Sequence, residues 1–212
     1  MIFLDTGDNM SNTILDVKGI NVPKTKLGQS KMEKLLTASE ELFAKNGFYG
    51  TSISDICKHA GTAVGTFYIY FGTKTDVYKY LMETYKKEIK DRLSESIAGC
   101  STRYEKEREG IKCFIKYAVA VPNVYNIIWG SLSIDRQIFV DYYESFAASY
   151  SRSLKGDLDN MTVGDTESLS YMLMGISNFL GLKAMFTNMT DEEIDKMVDE
   201  TIMPAISRGI FK

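Results

Sequence analysis

The stretch Thr51–Lys74, TSISDICKHAGTAVGTFYIYFGTK, decides how the chain reads. Ser52 followed three residues later by Asp55, just ahead of Ile56 and Cys57, pairs an N-cap hydroxyl with a carboxylate that reaches back to orphan amide donors, so a helix starts at Ser52. Ile53, Ile56, Cys57 and Ala60 fall on one face at helical spacing, and Gly61 permits the positive φ that stops a helix sharply. That helix is about two turns long. Thr62 or Ala63 opens the next, with Val64 or Phe67 and Phe71 inward and Gly65, Thr66, Tyr68 and Ile69 mostly outside. Thr73 with Asp76 repeats the capping logic and starts a long helix over roughly residues 74–97. Lys74 then stands at a helix N-terminus, where dipole and ammonium together form an anion site. Two short helices, a glycine turn and small or hydroxylated residues at the exposed start of the second helix make the helix-turn-helix arrangement, which presents that helix to a DNA major groove. On spacing alone, an ordinary helical hairpin fits as well.

Upstream, Met32, Leu35, Leu36, Leu42 and Phe43 make a helical stripe over about residues 29–46, ended by Asn46-Gly47. Phe48 and Tyr49 turn back onto the core. Residues 1–27 mix Gly, Asn, Thr, Asp and a Pro without a sustained period and are expected to be a mobile tail, with Met1 or Met10 as the start. Lys24, Lys26 and Lys31 at its end are either a DNA-reaching arm or solvated lysines beside a helix start.

The run TSISDICKHAGTAVGTFYIYFGTKTDVY, preceded by LLTASEELFAKNGFYG, closely resembles the N-terminal domain of the TetR family of transcriptional regulators. The shared pattern is a helix ending in Gly-Phe, then Thr-Ser-Ile, an Ala-Gly turn, Gly-Thr-Phe-Tyr-x-Tyr-Phe and a Lys soon after. It covers Leu35 to Tyr78; the remainder is similar in layout. The resemblance implies that Ser52, Thr62, Ala63, Val64, Gly65, Thr66, Tyr68, Ile69, Tyr70 and Lys74 face DNA. Tyr68 and Lys74 would hold phosphates, and Val64, Thr66 and Ile69 are candidates for groove contacts. Two departures stand out. Ala63 occupies the position where the family often has a capping serine, which leaves Thr62 as an alternative cap. No Arg, Asn or Gln lies between Thr62 and Phe71 to make a bidentate base contact, so specificity leans on thymine methyls and DNA shape.

Composition bounds the function. The 212 residues suffice for one large domain or two small ones without staples. Three cysteines, Cys57, Cys100 and Cys113, lack CxxC spacing and are odd in number, which suits a reducing cytoplasm. The N-terminal run MIFLDTGDNM lacks the basic start of an export signal, and no segment approaches about twenty uninterrupted apolar residues, so a cytoplasmic protein without a membrane span is expected. The net charge of -3 conceals an asymmetry: residues 24–90 carry eleven lysines against seven acids. A basic end on an acidic body suits a DNA reader with a separate sensor.

Beyond Gly99, helices are expected at roughly 103–120, 122–130, 133–155, 165–187 and 190–208. Tyr85, Phe114, Tyr117, Tyr125, Trp129, Phe139, Tyr142, Tyr143 and Phe146 are the candidate walls of a ligand pocket, since aromatic rings give apolar surface and tyrosine adds hydroxyls. The run SLSYMLMGISNFLGLKAMF is apolar nearly all round and demands cover on every side. With its successor it resembles the helix pair that builds the family's dimer, and Met174, Ser177, Asn178, Gly181, Met185, Met197 and Ile202 are the candidate dimer-interface residues. Pro204 should kink or end the last helix. Asn178 needs a partner across the dimer or in the pocket.

These features predict an all-α chain: tail 1–27, a three-helix helix-turn-helix DNA-binding domain over 28–73, and a larger helical ligand-binding and dimerisation domain over 74–212. The expected function is a transcriptional regulator, in the first place a repressor, that binds a palindromic double-stranded DNA operator as a homodimer and is released by a small, largely apolar effector. The alternative is a partner-binding adaptor of the same fold that has lost sequence-specific DNA binding. With one histidine and no glycine-rich phosphate loop, metal-spacing cluster or nucleophile elbow, no enzyme activity, metal or cofactor is expected.

Overall fold

A computed structural model of the protein describes residue 17 and residues 19–210. Most of the expected tail, residues 1–16 and 18, and the choice between Met1 and Met10 lie outside the described residues. Among these the fold is all-α, as the sequence predicts. The helices are α1 (Lys26–Asn46), α2 (Ile53–His59), α3 (Val64–Tyr70), α4 (Lys74–Ile97), α5 (Arg103–Ala120), α6 (Pro122–Ile134), α7 (Arg136–Lys155), α8 (Thr166–Thr187), α9 (Asp191–Met197) and α10 (Met203–Ile210). The described residues pack as two units, one running to Lys86 and including Asn123–Phe139, the other of Lys87–Pro122 with the described residues from Val140 onward.

In the first unit, the caps that local chemistry specifies are in place. Thr25 caps α1, accepting from the Gly28 amide, three residues ahead of the expected start. Ser52 and Asp55 form the full reciprocal box on α2, and Gly61 follows with φ 64°. The Thr73 amide donates to Asp76 at 2.7 Å while the Asp76 amide donates to the Thr73 hydroxyl, which starts α4. At α3 the structure settles the open choice. Ala63 is the N-cap without a side-chain bond, and the Thr62 hydroxyl is buried beside the Cys57 thiol rather than capping. Leu35, Ile56, Phe67, Phe71, Val77 and Tyr78 fill the core, with Val124 and Ile127 from α6. The Tyr78 hydroxyl donates to the Ile127 carbonyl, and a Cβ at Gly130 would come within 3.1 Å of that hydroxyl, so a side chain there would have to displace it by a few tenths of an ångström.

In the second unit, Ile111 and Ile115 of α5 pack on Leu169 and Leu173 of α8 and on Ile194, Val198, Ile202 and Ile206 near the C-terminus. The expected helix over 190–208 does not end at Pro204 but runs on to Ile210. α9 runs into a π-helical turn at Val198–Ile202, where the Met203 amide donates to the Val198 carbonyl, and Pro204 follows as the second residue of α10. A wider turn accommodates the donor that proline lacks. α8 is long and apolar enough, by length and composition, to cross a bilayer, although 28% of that window is buried in the fold.

A charge cluster clamps α5 to this C-terminal stretch. Arg108 grips both oxygens of Asp199 at 2.6 Å each, Lys112 reaches Asp199 at 2.9 Å, and Lys116 reaches Asp195 at 2.9 Å. The Arg108 hydrogen bonds hold the Asp199 carboxyl down to about 2, below its usual range. A depressed carboxyl stabilises the fold fully above its unfolded pKa, near 4, and that contribution is lost as pH falls through the folded value. Asp199 and Arg108 are 35% and 36% exposed, so solvent screening limits the effect to about 1 kcal/mol. Asp199→Asn is expected to flatten the fall in melting temperature between about pH 4 and pH 2, as measured by circular dichroism.

Candidate nucleic-acid interface and ligand cavity

α3 has only seven residues, and its two sides differ sharply. Phe67 and Tyr70 are buried, whereas Val64, Tyr68 and Ile69 are 44%, 56% and 55% exposed, an arrangement a soluble helix has no internal reason to keep. Ala63 and Gly65 are exposed beside them. A Cβ at Gly65 would meet nothing within 4 Å, so packing does not demand glycine there. Of the other residues expected to face DNA, Ser52 is exposed but occupied by its capping box, Thr62 and Thr66 are half-buried, and Tyr70 belongs to the core.

Lys74 does something the sequence reading missed. Its ammonium donates to the carbonyls of Phe48 and Thr51, at 2.5 and 2.6 Å, and sits 4.2 Å from the centre of the Phe48 ring. Burial pushes its pKa down. Two of three donors are thereby committed to tying α4 to the α1–α2 connection.

A second unforeseen element lies before α1. Ile20 forms an antiparallel bridge with Phe71, the Asn21 amide donates to the Tyr70 carbonyl at 3.0 Å, and the Asn21 side chain donates to the Ile69 carbonyl at 2.9 Å. These are last-turn carbonyls of α3, which have no partner within the helix. Residues 20–21 therefore act as a C-terminal cap supplied from a distance. The segment lacks any period, so only the capping chemistry of Asn hinted at it.

The second unit encloses a cavity of about 390 Å³ between the later part of α4 and helices α5, α7 and α8. Among the expected pocket residues, Phe114, Tyr142, Tyr143 and Phe146 line it. Tyr85 and Tyr125 are buried in the first unit, where Trp129 packs edge-on against Phe139 with ring centres 6.2 Å apart. Tyr117 donates to Glu88 beneath the Arg92 guanidinium. Met174, Ser177 and Asn178, expected at a dimer interface, line the cavity within one chain. There Tyr143 donates to Asn178 at 3.3 Å, and burial raises the Tyr143 phenol to about 12.

The polar wall is a buried network that aromatic composition could not reveal. Arg103 donates through Nε to Glu107 at 2.6 Å and through Nη1 to Ser153 at 2.9 Å, while Tyr150 donates to the other Glu107 oxygen. Burial, with Glu107 alongside, pushes the Tyr150 phenol far up. One signal was available: Arg103 and Glu107 precede Ile111 and Ile115 at four-residue steps, so the charges continue a buried stripe.

The rest of α8 is uncovered. Met172, Phe179 and Phe186 are 47%, 66% and 75% exposed and recur every seven residues, with Gly175 and Leu182 half-buried between them. This is the spacing of a helix–helix seam. Gly181 and Ile202 are buried within the chain, and Met185 and Met197 are half-buried.

Two short helices joined by a glycine turn, in a chain that is otherwise helical, make a helix-turn-helix fold. Residues 35–81 match the family model described as bacterial regulatory proteins, tetR family. The chain is 38% identical over 78 residues to the uncharacterized HTH-type transcriptional regulator YvdT of Bacillus subtilis, and 34% identical over 76 residues to the fatty acid metabolism regulator protein of the same organism. The two alignments span 37% and 36% of this chain and 39% of each relative, so the chain covers about two fifths of the length of these curated relatives. Over the whole fold, a protein from Syntrophomonas wolfei assigned to the TetR-family transcriptional regulators aligns with a TM-score of 0.73 at 25% identity, covering 85% of this chain and 96% of that one. The fatty acid degradation regulator FadR from Bacillus halodurans aligns at 0.70 and 18% identity, over 83% and 94%, a likeness of fold alone. Residues 35–81 thus carry the tetR-family match, and the fold as a whole is similar to that of proteins assigned to the family.

The Asn21 cap yields a stability test. Asn21→Ala removes the side-chain donor but keeps the backbone bond, and is expected to cost about 1 kcal/mol. Amide exchange should accelerate across residues 64–71 and stay unchanged in α8, read by hydrogen–deuterium exchange.

Proposed function

We propose that this protein is a transcriptional regulator, in the first place a repressor, acting in the cytoplasm: a homodimer binds a palindromic operator and is released by a small, largely apolar effector. The observation that carries this is the outer face of α3, where Val64, Tyr68 and Ile69 stay exposed although the opposite side is fully packed. Apolar groups of this kind suit thymine methyls, and the Tyr68 hydroxyl suits a phosphate oxygen. The Met172, Phe179, Phe186 seam supports pairing with a second copy, since a contiguous apolar stripe at heptad spacing calls for another helix. Two recognition helices must then sit about 34–36 Å apart to enter successive major grooves.

The effector reading is supported by the cavity and by α4, one continuous helix from Lys74 at the reading head to Leu93, Ser94 and Ile97 in the cavity wall. A ligand that prefers a position of α4 incompatible with the operator spacing depletes the DNA-binding state. The adaptor reading keeps one specific observation in its favour: Lys74, the expected phosphate anchor, is engaged by backbone carbonyls.

Selection of the purified protein on random duplex DNA decides between them. Enrichment of a palindrome, with affinity falling steeply as salt rises, is the expected result. Tyr68→Phe should weaken every enriched site about ten-fold, and Val64→Ser should change which sequence is enriched. A folded dimer that enriches no sequence and shows no salt-dependent binding would establish the adaptor instead.

A further inference from the structure

We infer that Asn21 is a positioning residue for base reading: by holding the last carbonyls of α3 from outside, it fixes where Ile69 stands in the major groove. This rests on the operator reading above and extends it. α3 is gripped unevenly along its length. Its start has no side-chain cap, at Ala63. At its end the Ile69 carbonyl accepts from the Asn21 side chain at 2.9 Å and the Tyr70 carbonyl from the Asn21 amide at 3.0 Å. Ile20, one residue earlier, bridges to Phe71, which is buried in the core.

The hold leads back to a different helix. From Asn21 the chain runs through Val22 and Pro23 to Thr25, the N-cap of α1. A Cβ placed on Gly28 would stand 2.7 Å from the Pro23 side chain and 3.6 Å from the Tyr70 hydroxyl, so the start of α1, this segment and the end of α3 pack together. The bond from the Asn21 side chain to the Ile69 carbonyl is at the surface, where water replaces it at little net cost. Water would satisfy that carbonyl without tying it to α1, whereas the carboxamide does both. The tie matters because of what Ile69 is. Its side chain, 55% exposed, offers no hydrogen bond to a base and discriminates only by van der Waals contact with groups such as a thymine methyl. A gap of about 0.5–1 Å forfeits a quarter to a half of such a contact, so an apolar reader depends on the placement of its backbone. Val64 lies more than a turn away, at the end of α3 that Asn21 does not touch.

The test uses the full-length protein and the operator enriched from random duplex DNA, with every single-base variant of that operator titrated by fluorescence anisotropy. The proteins compared are the wild type, Ile69→Ser, Val64→Ser, Asn21→Ala and Asn21→Asp. Base positions whose preference changes in Ile69→Ser are the Ile69 steps, and those that change in Val64→Ser are the Val64 steps. At the Ile69 steps the wild type is expected to favour the best base about ten-fold, and Asn21→Ala should cut that ratio to about three- to six-fold while leaving the Val64 steps unchanged. Asn21→Asp, the same shape without the donor, should do likewise. A ratio of two affinities measured on one preparation is independent of the folded fraction, so a purely structural role weakens all sequences alike and leaves it fixed. Unchanged ratios at the Ile69 steps in Asn21→Ala would overturn the inference, as would equal flattening at the Val64 steps, or wild-type ratios in Asn21→Asp. If Ile69→Ser changes no position, Asn21 has no reader to place, and the inference falls while the operator reading stands. A wild type that enriches no sequence removes the operator reading itself, and the inference with it.

Discussion

A helix of seven residues cannot hold itself, because too few internal hydrogen bonds form to offset the cost of nucleation. α2 and α3 are both that short, so the reading surface exists only through what is attached to them. Ile56 and Phe67, neither measurably exposed, anchor the pair to α1 and to Phe71. The remaining support is polar and comes from outside the two helices. Ser52 and Asp55 close the start of α2, Lys74 ties the preceding connection to α4, and Asn21 closes the end of α3. The start of α3 has no side-chain cap, at Ala63, and the Thr66 amide turns back to the Ala63 carbonyl at 2.8 Å.

The second unit handles polarity differently. Arg103 and Glu107 are nearly inaccessible, with side chains 5% and 2% exposed, and burial of such a pair contributes little net stability. Its consequence is electrostatic. By pairing with each other and with Tyr150 and Ser153, these groups make one wall of the cavity polar but close to neutral.

Legibility in the sequence follows the range of the interaction. Capping boxes act over three residues, so Ser52–Asp55 and Thr73–Asp76 can be read directly, as can the Gly47 and Gly61 stops. The TetR-like pattern adds the topology. Long-range supports leave no local trace. The bridge between Ile20 and Phe71 joins positions far apart in the chain, and the Lys74 ammonium bonds backbone carbonyls, which are sequence-blind. At the cavity, aromatic content finds Phe114, Tyr142, Tyr143 and Phe146. It also gathers Tyr125 and Trp129, because composition says that a ring is buried without saying in which unit. Arg103 and Glu107 escape because charged residues are ordinarily solvated. The mixed roles of α8 have a geometric cause. Leu169 and Leu173 face the core, Met174, Ser177 and Asn178 face the cavity, and Met172, Phe179 and Phe186 face outward. An all-round apolar helix offers no polar stripe from which to tell these faces apart.

The distribution of cavity residues over helices bears on how a ligand held there could shift an equilibrium. Affinity alone moves no equilibrium; only contacts that differ in strength between two states do so. α5 and α8 lie wholly within the second unit, so contacts with them add affinity. α4 and α7 each begin in the first unit, at Lys74 and Arg136, and run on into the cavity lining. Contacts with Phe114 of α5 and Met174 of α8 therefore carry no such leverage, whereas contacts with Leu93 and Ile97 of α4 or with Tyr142 and Phe146 of α7 touch the helices shared with the first unit, on which a difference between two states can register.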